Sequence, residues 1–177
     1  GDERAMAFRR ELWRHNLAVA CVAELVAERT DTPQIASDAF VCGLLHDVGK
    51  IALDFCLPKS FARVLDRVER HHECICDVER QLLGMDHTAA GKRLASRWGL
   101  GPAIVECVWL HHQPPESLPS TLVCDRLVRI VHLADNLVRR EGVGFSGYHH
   151  VSDIGELSSC FRLSQADIES ILAVLPQ

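Results

Sequence analysis

Apolar residues return at spacings of three and four along almost the whole chain, and the strict alternation of a half-buried strand is nearly absent. A chain patterned this way hides its apolar stripes only by packing helix on helix, so the expected fold is all-α. With 177 residues, 47% hydrophobic and 24% charged, it has the size and balance of one globular domain spanning residues 1–177. About nine helices are expected. Those that can be placed cover about 8–29, Pro33 to the LLHDVGK segment, 58–72, 73–83, 87–98, 102–111, 121–140 and 164–174. Thr32 and Asp86 read as N-caps, Ser164 with Asp167 as a capping box, and Gly49 as the residue that ends or bends the second helix. The chain opens Gly-Asp-Glu-Arg without an initiator methionine, so a fragment of a longer protein is expected.

The formal charge is −5 and no window gathers the basic residues into a stripe, which argues against a nucleic-acid partner. Apolar runs such as Leu17 to Ala23 fall well short of the roughly 18 to 20 residues that span a bilayer. No membrane association and a cytoplasmic location are therefore expected. Of the eight cysteines, Cys21, Cys42, Cys56, Cys107 and Cys124 sit in apolar helical patterns and read as buried free thiols. Cys74 and Cys76 are one residue apart, without the spacing of a zinc knuckle, so a metal site there would need partners that the sequence does not place. Trp98 and Trp109 read as packing aromatics, Lys92 and Arg93 as a solvated face, and His71-His72 and His149-His150 as structural or surface pairs.

The ten histidines are the compositional signal. His15 shares a stripe with Leu12, Val19, Val22 and Val26, and Glu11 lies one turn before it. His46 and Asp47 follow the apolar run Phe40 to Leu45. His87 shares a face with Gly91, Leu94 and Trp98; His111 and His112 close the helix of Ile104, Val105 and Val108. Asp135 interrupts the stripe of Val128, Val131 and Val138, whereas His132 aligns with Arg129, Asn136 and Arg139 and is expected on a polar surface. Polar groups on buried faces ask for partners, and a cation supplies one to all of them. Imidazoles and carboxylates from several helices can share two divalent ions about 3.5 to 4 Å apart, with Asp47 the natural bridge because it offers two oxygens.

The order His15, His46-Asp47, His87, His111-His112, Asp135 resembles the HD superfamily of metal-dependent phosphohydrolases. Within it, LWRHNLAVA, GLLHDVGKIAL, ERQLLGMDHTAAGKRLASRWGL, HHQPP, VHLADNL and FRLSQADIESIL are similar to HDOD domains, bacterial signal-transduction modules related to HD-GYP phosphodiesterases. The resemblance implies a helical HD fold with metal ligands at His15, His46, Asp47, His87, His111, His112 and Asp135, with Glu11 as an accessory carboxylate. Lys50 matches the lysine set near a scissile phosphate, so Lys50 and Asp47 are the implied catalytic residues. The implied cofactor is a pair of divalent transition ions, iron, manganese, nickel or zinc. Two departures stand out. Gln113-Pro114-Pro115 follows His112, with none of the Gly-Tyr-Pro segment that recognises cyclic diguanylate, and the helical region that usually precedes this part of an HDOD domain is absent. Two functions follow: a phosphohydrolase of a phosphorylated small molecule or nucleotide, or a non-catalytic regulatory module acting on other signalling domains in the same or a partner protein.

Overall fold

The long first helix, α1 (Asp2–Thr30), organises the molecule because two apolar cores are built along it. Phe8 and Leu12 enter one core with Leu53, Phe61, Val64 and Ile75, while Val19, Val22 and Val26 enter the other with Val128, Val131 and Leu137. His15 and Asn16 lie buried between them. The computed structural model describes residues 2–31, 33–147 and 151–175. After α1 come α2 (Pro33–Leu45), α3 (Val48–Cys56), α4 (Pro58–His71), α5 (Ile75–Leu83) and α6 (His87–Arg97). They are followed by α7 (Pro102–Leu110), α8 (Asp125–Arg140), α9 (Ile154–Ser159) and α10 (Gln165–Leu172), with a 3-10 turn at Pro115–Ser117. No strand occurs among the described residues, as the spacing of apolar residues predicts, and none of these helices is long and apolar enough to cross a membrane.

Local signals hold at several ends. Asp86 accepts from the Ala89 amide at 3.0 Å, and Ser164 with Asp167 forms the reciprocal box. The proposed Thr32 cap and the His149-His150 pair lie outside the described residues. Elsewhere tertiary contacts move the boundaries. α1 begins at Asp2 and not near Phe8, because Arg4 reaches Asp66 and Glu69 of α4 at 3.2 and 2.5 Å and Arg9 reaches Asp54 of α3 at 2.5 Å. α8 starts at Asp125 and not Thr121, because the Glu106 carboxylate accepts the Val123 and Cys124 amides at 3.1 and 2.7 Å. α9 was not expected from the sequence; Asp153 caps it. Neither Trp98 nor Trp109 is a core residue: Trp98 is 62% exposed, and Trp109 is 37% exposed with the Lys92 ammonium 3.0 Å from its ring centroid. Of the five cysteines read as buried, Cys42 and Cys107 are so, Cys21 and Cys124 are half-buried, and Cys56 is exposed.

The second expected helix breaks at His46-Asp47, and Gly49 lies inside α3. Gly49 serves a crossing, not a helix end. A Cβ there would stand 1.8 Å from the His87 carbonyl oxygen, and one on Gly91 would stand 2.5 Å from Val108 Cγ1. The two glycines let α3 and α6 touch backbone to backbone, which brings the Asp47 end of α3 beside His87. Gly49→Ala is therefore expected to cost about 3 kcal/mol or more in urea unfolding. Gly84→Ala, at φ +78° with open space around it, should cost about 1 kcal/mol. Equal losses would mean that the crossing does not depend on Gly49.

Candidate metal centre

Five helix termini or interiors deliver the polar side chains to one place. α1 supplies His15, the α2–α3 junction His46 and Asp47, α6 His87, the end of α7 His111 and His112, and α8 Asp135. The side chains of His15, His46, Asp47, His87, His111 and Asp135 are all buried to within 1%. They fall into two groups with ligand atoms within 4.8 Å of one another: Asp47, His87, His111 and His112, and His15, His46 and Asp135. Asp47 faces both. Its Oδ1 lies 3.4 Å from Nε2 of His87 and of His111, and its Oδ2 lies 3.5 Å from Nε2 of His46. His112 joins the groups from the other side, with Nε2 3.1 Å from His87 Nε2 and Nδ1 3.8 Å from Asp135 Oδ2.

The outer edge of each ring fixes what the inner edge presents. His46 Nδ1 lies 2.6 Å from the Gly43 carbonyl, and His111 Nδ1 lies 3.1 Å from the carbonyls of Cys107 and Val108. A carbonyl only accepts, so each Nδ1 carries the proton and the neutral ring turns a bare Nε2 inward. His87 Nδ1 does the same toward Glu79 Oε2 at 2.7 Å. Nε2 of His15, His46 and His111 and Oδ1 of Asp47 are buried with no hydrogen-bond partner. Nε2 of His46 and of His111 and Oδ1 of Asp47 are acceptors turned toward one another, and His15 Nε2 lies 3.2 Å from Asp135 Oδ1, an arrangement a shared cation satisfies. Neutral nitrogen and carboxylate oxygen donors together suit a divalent transition ion.

The carboxylates are held ionised. Burial alone would raise Asp47, but the Lys50 ammonium at 2.6 Å, with His46 and His111 beside it, outweighs it and holds the carboxyl well below its usual range. Burial likewise opposes the charge on Asp135, and Arg139, 2.9 Å from its Oδ2, with His15 overcomes it. Burial lowers the His46 imidazole from 6.5 to about 3 and His112 well below its usual value, so both rings are neutral near pH 7.

Glu11 lies outside the cluster. Its carboxylate is partly exposed and takes Arg14 at 3.1 Å. Lys50 is buried, with Nζ on Asp47. His132, expected on a polar surface, is 4% exposed and donates from Nδ1 to the His111 carbonyl at 2.6 Å. That polar face is itself packed inside: Asn136 is buried and accepts the Ser152 amide at 2.7 Å, and Arg139 is tied to Asp135. Sequence reasoning also missed Glu79, which is buried and receives both the backbone N–H and the ring Nδ1–H of His87, at 2.8 and 2.7 Å. A signal existed. Glu79 falls four residues after Ile75 and three before Leu82, on the buried stripe of α5.

The HDOD domain profile matches residues 1–114, and the chain belongs to that family. In structure it is similar to an HDOD domain protein of unknown function from Geobacter sulfurreducens, at 31% identity and a TM-score of 0.77, covering 93% of this chain and 57% of that one. A protein from Marinobacter aquaeolei VT8, assigned to signal transduction, has 19% identity and a TM-score of 0.77, covering 92% and 36%. The MmoQ response regulator of Methylococcus capsulatus str. Bath has 23% identity and a TM-score of 0.70, covering 96% and 64%. The last two show a shared fold alone. The chain thus spans between about a third and two thirds of these proteins' lengths.

Two variants on α8 separate a cluster carboxylate from a supporting ring. Asp135→Ala should lower metal content and, by removing the carboxylate from the Arg139 guanidinium, lower stability by about 1 to 3 kcal/mol. His132→Ala should leave metal content unchanged yet cost about 1 to 3 kcal/mol, because it strips the buried His111 carbonyl of its donor. Metal loss in His132→Ala would place that ring among the ligands. With a chelator present, acid should destabilise the protein. His46 takes up its proton at 6.5 when unfolded but only near 3 when folded, so its contribution is intact above about 6.5 and declines as pH falls toward 3. The depressed Asp47 and Asp135 add loss of the same sign below their ordinary value of 3.8. A melting temperature unchanged between pH 7 and pH 5 would contradict this.

Proposed function

We propose that this HDOD domain is a signal-transduction module whose buried centre holds two divalent transition ions and whose helix arrangement depends on them. The observation that carries the reading is the convergence of buried polar atoms from His15, His46, Asp47, His111 and Asp135. His15, His46 and Asp135 would hold one ion and His87, His111 and His112 the other, with Asp47 offering an oxygen to each. Because these residues come from α1, the α2–α3 junction, α6, α7 and α8, loading ties five parts of the bundle together. Ions bound to the folded state alone stabilise it by mass action, which gives the module an output a neighbouring domain can read.

A second reading, phosphodiester or phosphomonoester hydrolysis, is favoured by Lys50, whose ammonium lies on the carboxylate that faces both groups. Bound ions would there supply Lewis acidity and an activated water. Lys50 would meet the charge on a phosphate, and its release from Asp47 would be required first. The near-complete burial of the cluster favours the signalling reading, since a phosphate reaches Lys50 only if helices move apart.

Metal analysis of protein purified without chelator is expected to give roughly one to two equivalents of iron, manganese, nickel or zinc. Its removal is expected to lower the melting temperature, with no turnover of a chromogenic phosphodiester in either state. Protein that stays metal-free after reconstitution overturns the reading. Metal-dependent turnover that falls strongly in Lys50→Ala, at unchanged metal content, establishes the hydrolase instead.

A further inference from the structure

The Cys74-Cys76 pair lacked partners in the sequence, and the fold supplies them. Cys76 Sγ, a Glu79 carboxylate oxygen and a His87 ring nitrogen lie within 4.8 Å of one another, and all three residues are buried. The Cys74 thiol is hydrogen-bonded to Cys76. Glu79 spends Oε2 on His87, and its Oε1 is buried without a partner. Both thiols belong to the N-terminus of α5, Cys74 as its N-cap; the Cys74 hydrogen bond, burial and the Glu79 charge push the Cys76 thiol up, so an ion must itself displace that proton.

We propose that Cys76, Glu79 and Nδ1 of His87 form a separate, thiolate-containing site for a single zinc ion, with Cys74, which lies outside that group and is hydrogen-bonded to Cys76, turning in as the fourth ligand. Two sulfurs, one imidazole nitrogen and one carboxylate oxygen are a four-coordinate donor set of the kind zinc accepts in tetrahedral geometry. Bond lengths of about 2.0 to 2.3 Å set ligand separations of about 3.3 to 3.8 Å, so on loading His87 Nδ1 and Glu79 Oε2, now 2.7 Å apart, part slightly while the sulfurs draw in. The ion takes the position of the proton now lying between His87 Nδ1 and Glu79. Both thiols release their protons to solvent, and the Nδ1 proton passes to Nε2, or leaves when Nε2 is itself ligated. The same imidazole then touches both centres through its two nitrogens. Neither cysteine belongs to the imidazole and carboxylate groups around Asp47, so the thiolate site stands whether or not that centre is loaded.

Cobalt(II) distinguishes the two, because only sulfur ligation gives an intense thiolate-to-cobalt charge-transfer band in the near ultraviolet. Reduced, chelator-treated protein titrated with cobalt is expected to develop that band and lose it when zinc is added. Cys76→Ser should abolish the band and lower zinc content by about one equivalent, one ion per thiolate site. Cys42→Ser and His46→Ala should keep the band, the latter separating failure of the other centre from failure of this one. Cys74→Ser, at a half-buried position, replaces Cys76→Ser if that variant does not fold, and should weaken the band. The proposal is overturned if the wild-type protein develops no band, or if the band is unchanged in the folded cysteine variant.

Discussion

Two ionised carboxylates inside a helical bundle are the constraint on which the rest of this structure depends. Burial would neutralise Asp47 and Asp135 if nothing opposed it. Lys50, itself buried, lies on one and Arg139, its side chain 5% exposed, on the other, so the centre carries its own neutralising charges. Around that balanced core the imidazoles of His46 and His112 are held neutral by burial, and several Nε2 atoms face inward as acceptors. Such an arrangement is costly to leave unliganded and well prepared for a metal.

Backbone proximity makes the convergence possible. α3 meets α6 through Gly49 and Gly91, where a side chain on either would collide with backbone or with Val108. At the opposite side Gly144, at φ +68°, seats the chain after α8 on the backbone of α1 beside Glu11 and His15, and the Phe145 amide donates to the Glu11 carbonyl at 3.2 Å. Helices this close deliver side chains from different parts of the sequence to within ligand distance. Ring orientation is then fixed from behind, by carbonyls of the same helical turn for His46 and His111 and by Glu79 for His87. An outer group of this kind selects the tautomer that faces an ion.

His132 and Asp135 mark the limit of face assignment. The helical wheel put Asp135 on the apolar stripe of α8 and His132 off it, and the expectation that only Asp135 points inward fails because His132 is buried as well. What the wheel cannot supply is whether the other face meets water. α8 is surrounded, and nearly every residue from Leu127 to Val138 is buried, so its polar face is an interior surface closed by the His111 carbonyl, Ser152 and Asp135. Glu79 escaped notice for the converse reason: a carboxylate on an apolar stripe reads as an irregularity until its partner, eight residues on and in another helix, is placed beside it.

By itself the sequence determined the helical class, the buried stripe of α1, most helix ends, and the residue types that a divalent ion would require. These follow from spacing and local capping, which act over one or two turns. Only the tertiary structure decided that α2 and α3 part at His46-Asp47 and that His87 stands between Asp47 and Glu79. Those outcomes depend on which helices cross and how closely. Crossing distance is set by pairs such as Gly49 and Gly91, more than forty residues apart, whose contact no local pattern records.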